Sequence, residues 1–418
     1  MEAAKIKYLQ PRLEPFMQTT PVPRISPLTR ISSIDIIRAI TMVLMIFVND
    51  LWSLKDIPLW LEHTKAEDDG MGLADVVFPA FLVIVGMSAP FSVAGRRARG
   101  EDNFAIVKHI LIRSFALIVM GVFLVNGETI NAAATGIPRW TWFPLCCLCF
   151  ILIWNNYPRS MNKKLRLTLQ VGASVILFLL AWFYRGGEEG NDRFSTSWWG
   201  ILGLIGWAYF VSSLAYTFLG HNLWLMTGCW LLFIGINTAA HAHLLPAEGP
   251  INQLFSPFEE GAMPAFVTGG IICSMLLIRQ KNDNNQFRFI WLLLVISAVL
   301  FVAGFAVRPL DGISKIKATP SWVLICTAVT FFTFILIYWL SDIRKKEYWF
   351  NIIKPAGTNT LTCYLLPYFA YGLMNAFAVS YPSVVSYGFI GLIKSFVFAM
   401  LIVMVGGWLG KKGVQVKL

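Results

Sequence analysis

The sequence predicts an all-α protein, a polytopic transmembrane helix bundle of about 11–12 spans. Composition is the first reason. Hydrophobic residues make up 56% of the 418-residue chain and charged residues only 14%, against about 45–50% and about 25% in soluble domains. Mean hydropathy is +0.63. The second reason is recurrence: apolar stretches long enough to cross a hydrocarbon layer of about 30 Å return along the chain. The third is that basic and acidic loops alternate between those stretches. A surface so poor in charge needs lipid as part of its solvent. A soluble enzyme, a disordered scaffold and a disulfide-stapled secreted module are excluded.

The elements follow in order. Residues 1–30 are polar, proline-rich and basic, and read as a cytoplasmic segment without the apolar core of a cleavable signal peptide. A single transmembrane domain is expected over 31–410, followed by a basic cytoplasmic tail at 411–418. The spans fall near 34–53, 73–94, 105–125, 140–156, 165–184, 198–219, 222–239, 262–279, 287–306, 320–340, 355–377 and 387–409. The stretch 140–156 is short and holds Pro144, which leaves the count between eleven and twelve.

The net charge of +11 reads as cytoplasmic loop charge, with the lipid bilayer rather than nucleic acid as partner. Arg96-Arg97-Ala98-Arg99, Arg159 with Lys163-Lys164, Arg279 with Lys281, Arg344-Lys345-Lys346 and Lys411-Lys412 fall on one side. Glu67-Asp68-Asp69, Glu188-Glu189 and Glu259-Glu260 fall on the other. That alternation places both termini in the cytoplasm and suits a bacterial inner membrane. Loop 307–319 breaks it, being assigned outside while carrying Arg308, Lys315 and Lys317. The seven cysteines lie in apolar runs without zinc-site spacing and read as buried thiols.

Ionisable groups in or beside a span are costly and therefore informative. Asp35 and Arg38 share a helix face at the mouth of the first span. They read either as an anchoring ion pair or as a site for an anionic ligand. Asn49 lies about 21 Å further along the axis than Asp35 and stays at membrane depth. His63, in the next loop, is a solvated histidine or a general base, and Asp75 at the mouth of the second span favours the base, since a carboxylate can fix an imidazole's tautomer. His241-Ala242-His243 has no further ligand nearby, so no metal is expected. His109 and His221 read as interfacial, and Trp198, Trp199 and Trp207 as an aromatic belt. Asn359, Thr360, Thr362 and Tyr364 form a polar stripe that bonds neighbouring helices or lines a cavity.

Ser33-Ile34-Asp35-Ile36-Ile37-Arg38, then Val48-Asn49, His63 and Ala74-Asp75-Val76-Val77-Phe78-Pro79 resemble the opening of the heparan-α-glucosaminide N-acetyltransferase family. The resemblance is specific over 33–81 and touches most of the chain beyond, at 260–268, 316–322 and 357–360. It implies an acetyl-CoA-dependent acyltransferase that carries an acetyl group from the cytosol to an amino-sugar or glycan acceptor across the membrane. It also implies that His63 is catalytic, with Asn49 and Asp75 beside it. Arg38 with Asp35, helped by Arg96, Arg97 and Lys163, is expected to hold the CoA phosphates. Three departures stand out: Ala39 replaces a glycine, the His63-to-Asp75 interval is longer, and the stretch from Ile137 to Pro144 lacks the family's glutamine-arginine pair. A sugar transporter on the same bundle is the alternative function, and a non-catalytic membrane partner is a third. A small-molecule or glycan substrate is the expected partner, with a homodimer as a further option.

Overall fold

The computed structural model describes residues 31–196, 198–245, 256–282 and 285–418. The expected N-terminal segment 1–30 lies outside the described residues. Among the described residues, twelve long helices follow one another: α1 Ser32–Asp50, α2 Leu73–Ala98, α3 Asn103–Glu128, α4 Arg139–Trp154, α5 Lys163–Phe183, α6 Gly200–Leu219, α7 Leu223–His241, α8 Ala262–Asn282, α9 Gln286–Ala306, α10 Pro320–Tyr338, α11 Thr360–Ala376 and α12 Gly388–Lys411. Each stretch read as a span coincides with one of them. Among the described residues, nine helices are long and apolar enough to cross a membrane. The chain is an integral membrane protein with an all-α fold.

Local chemistry sets the helix starts. Asp102, Asn162, Asn222, Asn285 and Thr319 each accept a hydrogen bond from an amide of the first turn of the helix that follows. Such caps satisfy donors that an α-helix leaves unpaired. Pro320 follows Thr319 at the first helical position, where its fixed φ suits the helix and no amide is lost.

Burial sorts the helices into two shells. The most apolar window of α8 is 83% buried and that of α7 only 11%. Like α7, α5, α9 and α12 turn apolar side chains such as Phe178, Trp224, Val302 and Phe396 outward, the surface that lipid covers. The inner shell needs backbones in close contact. A Cβ at Gly86 on α2 would lie 1.9 Å from the Val267 carbonyl oxygen of α8, and one at Gly270 would lie 1.9 Å from that of Val83. Apolar side chains gain little by leaving lipid for another apolar surface, so such small-residue contacts hold the pair together. Helix α1 packs against α2, α10, α11, α12 and the short helix Lys354–Thr358, so residues at both its ends face the interior.

Candidate functional site

At the C-terminal end of α1 the chain turns through a 3₁₀ segment at Leu51–Ser53 and another at Leu59–Leu61 before reaching His63. The loop then returns to α2 and is pinched at its base. A Cβ at Gly72 would sit 1.9 Å from the Glu62 carbonyl oxygen, so only glycine allows that approach. The pinch brings His63 onto the first turn of α2. Its Nδ1 lies 2.6 Å from Asp75 Oδ1. Asp75 Oδ2 accepts from the backbone amides of Thr64 at 2.9 Å and Gly72 at 3.0 Å. The carboxylate is 1% exposed while the imidazole is 49% exposed, so one partner is anchored and the other meets solvent. From behind, the fully buried Trp322 of α10 donates its indole N–H to the Asp75 carbonyl at 3.0 Å. Trp322 stands edge-on to Phe266 of α8, with ring centroids 5.0 Å apart.

A carboxylate can only accept, so Nδ1 carries the proton and Nε2 is left as the basic nitrogen. His63, Asn49, Glu62 and Trp52 line one cavity of about 390 Å³ with Val48, Leu51, Leu54 and Ala74. Of the sequence-predicted trio, Asn49 and His63 thus share this cavity at the C-terminal end of α1, and Asp75 stands behind it, bonded to His63.

Loop 307–319 completes this end. Asp69 accepts from the Ile313 amide at 2.7 Å and pairs with Arg308 at 2.8 Å. The Ile313 amide, then the Arg308 guanidinium, hold the Asp69 carboxyl below the usual carboxylate range. His241 Nδ1 pairs with Asp311 at 2.8 Å, which occupies one nitrogen of the histidine that looked like half of a metal pair. Lys315 Nζ reaches 3.2 Å from His63 Nδ1 and 4.0 Å from Asp75 Oδ1, and burial pushes its ammonium down. Two of the three charges that break the loop pattern thus have partners: Arg308 meets Asp69, and Lys315 meets Asp75.

Arg38 sits at the other end of α1, roughly 16 Å from Asn49 at 1.5 Å per residue. It donates to Asp35 at 2.9 Å and to the Gly357 carbonyl at 3.2 Å, and it also bonds Ser88. It lines a cavity of about 310 Å³ together with Arg113, Thr358, Thr360, Tyr364 and Lys417. The Arg113 guanidinium lies over the Tyr209 ring at 4.5 Å, and its buried Nε has no hydrogen-bond partner among the described residues. Arg96 and Arg97 lie elsewhere. Arg96 pairs with Glu101 at 2.6 Å across the turn between α2 and α3, and Arg97 bonds the Thr217 carbonyl of α6 at 2.8 Å. The Arg96 guanidinium holds the Glu101 carboxyl below its ordinary range. Lys163 is exposed on the first turn of α5 and does not line this cavity. The α11 stripe divides: Asn359 and Thr362 bond α12 and the C-terminal tail, while Thr360 and Tyr364 face the cavity.

Sequence reasoning missed Lys315, Arg113 and Asp50. The first was signalled by the exception to the loop-charge pattern, and the second by being an arginine well inside a span. Asp50, 2% exposed, accepts from Tyr371 at 2.7 Å, Lys394 at 2.8 Å and Ser395 at 2.6 Å. This cluster fixes the last turn of α1 beside Asn49, and only α11 and α12 reveal it. No group of three or more metal-ligating side chains occurs among the described residues.

Two curated relatives are similar to part of the chain. Heparan-alpha-glucosaminide N-acetyltransferase of Homo sapiens is 36% identical over 101 residues, 23% of this chain and 14% of that protein. The Mus musculus protein of the same name is 34% identical over 110 residues, 25% of this chain and 15% of that protein. The matched stretch thus covers about one seventh of either relative's length. A family model described as a domain of unknown function, DUF5009, matches residues 30–244. That is just over half of the chain, which belongs to the DUF5009 family.

Proposed function

We propose that the protein is a transmembrane acetyltransferase. It takes the acetyl group of acetyl-CoA, held at the Arg38 end of α1, and places it on the amine of an amino sugar or glycan at the His63 end. The observation that carries this reading is the His63–Asp75 pair, at 2.6 Å, over a cavity that Asn49 also lines. Likeness to two N-acetyltransferases adds to it.

A protonated amine has no lone pair for attack. With Nδ1 bonded to Asp75, His63 Nε2 takes the proton as the amine nitrogen adds to the thioester carbon. The C–N bond forms, the C–S bond breaks, and the thiolate leaves to take up a proton. A positioned general base contributes roughly 10²–10⁴-fold. The Asn49 amide, which lines the same cavity, is the proposed donor to the carbonyl oxygen as it gains charge. At the other end, Arg38 and Arg113 supply guanidinium donors whose planar fork suits phosphate. Over 137–144 the chain lacks the glutamine-arginine pair of the resemblance, and Arg113 offers the cavity a second guanidinium beside Arg38. The cytoplasm is the proposed side for the Arg38 cavity and for both termini.

Acetyl transfer from labelled acetyl-CoA to glucosamine in proteoliposomes tests the reading. Acetylated product is expected. Uptake of unmodified glucosamine with no product would overturn the reading and favour a carrier.

A further inference from the structure

Asp75 and Lys315 face the same nitrogen of His63, and both cannot bond to it. Asp75 Oδ1 is the nearer, at 2.6 Å against 3.2 Å for Lys315 Nζ. Since the carboxylate claims the Nδ1 proton, the ammonium meets a nitrogen with no lone pair left to offer. Lys315 therefore acts on the ring as a charge rather than through a hydrogen bond.

We propose that Lys315 is a positioning residue for His63: its ammonium offsets the Asp75 carboxylate, so that the imidazole is held in its working tautomer while remaining an uncharged base. The proposal rests on the acetyltransferase reading of the site. Asp75 alone serves two ends that conflict. It fixes the tautomer, but its charge also favours the imidazolium, which cannot accept the amine's proton. A second charge of opposite sign, 4.0 Å from the carboxylate, removes the conflict and leaves the tautomer lock in place.

Among the described residues, no other cation is in place to do this. The Cys326 thiol of α10 lies 3.9 Å from the Asp75 carbonyl. Glu62 lines the cavity from the histidine's own segment. Arg308 is engaged by Asp69. Among the described residues, Lys315 is the lysine or arginine within salt-bridge distance of Asp75. Its loop is braced on both sides. The Ser314 amide donates to Thr319 Oγ1 at 3.0 Å, Asn237 of α7 donates to the Ala318 carbonyl at 3.0 Å, and Asp311 meets His241. The braces hold the lysine against the pair.

The test uses Lys315→Met and Lys315→Arg in the full chain. Two readouts are taken: the pH dependence of kcat/KM, and the nitrogen NMR titration of the His63 ring in histidine-labelled protein, assigned with His63→Gln. Removing the ammonium favours the imidazolium, so both the acid limb and the ring titration should move to higher pH in Lys315→Met. Lys315→Arg should restore the parent values. A Lys315→Met protein that keeps both parent values would overturn the proposal. If Lys315→Met lowers the melting temperature, Lys315→Gln gives the same reading with a polar side chain. If the parent acetylates no amine, the acetyltransferase reading falls, and the ring titration still decides the role of Lys315.

Discussion

Asp75 and His63 lie 2.6 Å apart, yet the carboxylate is 1% exposed and the imidazole 49%. A buried carboxylate is tolerated only where donors surround it, and two backbone amides and the ring supply them. The histidine is thus fixed by its acid partner while about half of its side chain meets solvent.

His63→Ala should lower acetyl transfer by roughly 10²–10⁴-fold with the melting temperature near that of the parent. Asp75→Asn keeps an acceptor for the two amides and should be slower without being inactive. Asp75→Ala strands those amides, each costing about 1–3 kcal/mol, and should unfold earlier. Parent-level transfer by His63→Ala would remove the histidine from the mechanism.

Donor binding should depend on Arg38 and Arg113 rather than on Arg96. Losing one charge-assisted hydrogen bond costs about 1.5–3 kcal/mol, or roughly 10–100-fold in affinity. Isothermal titration with CoA at low salt should show that loss in Arg38→Ala and little change in Arg96→Ala. The reverse order would move the donor site to the turn between α2 and α3.

Gly86→Ala and Gly270→Ala each place a methyl 1.9 Å from a carbonyl oxygen of the facing helix. The backbones must separate, at a cost of about 1–3 kcal/mol. On α5, a methyl added at Gly172 would meet nothing within 4 Å, so Gly172→Ala should be neutral or stabilising by up to about 1 kcal/mol. Thermal unfolding in one detergent compares the three.

Asp69 has its carboxyl held down in the folded protein by Ile313 and Arg308, so its contribution is present above the ordinary carboxylate value and is lost as pH falls through the lowered one. Its side chain is 46% exposed, which limits the pair to about 0–1 kcal/mol. Amide exchange over 62–72 and 307–319 should rise below about pH 4 in the parent. Asp69→Asn should show the faster exchange already at neutral pH. Equal protection in both proteins at neutral pH would mean that Asp69 does not tie the loops together.

Sidedness can be read with single cysteines at Lys65 and Arg99, both exposed, in a chain lacking its seven native cysteines. A membrane-impermeant thiol reagent on intact cells should label position 65 and spare position 99. The opposite pattern would invert the proposed route from donor to acceptor.

Amino-acid order by itself determined the membrane class and the position of every long helix, because about twenty apolar residues in a row have few ways to satisfy their backbone except as helices in lipid. It also determined Asn49, His63 and Asp75 as residues out of place beside spans, since the cost of burying polar groups marks them without any knowledge of contacts. Tertiary structure decided which charges belong together. Lys315 lies 252 positions from His63, and Lys394 lies 344 from Asp50, so neither pairing leaves a local pattern. Arg96 and Arg97 read as donor contacts because they are basic loop residues, but Arg96 pairs with Glu101 and Arg97 with the Thr217 carbonyl of α6, while α3 brings Arg113 into the cavity of Arg38. Spans are set by local transfer energies; the partners of a charge are set by which helices pack side by side, and that depends on glycine contacts such as Gly86 against Val267 that only the folded chain brings together.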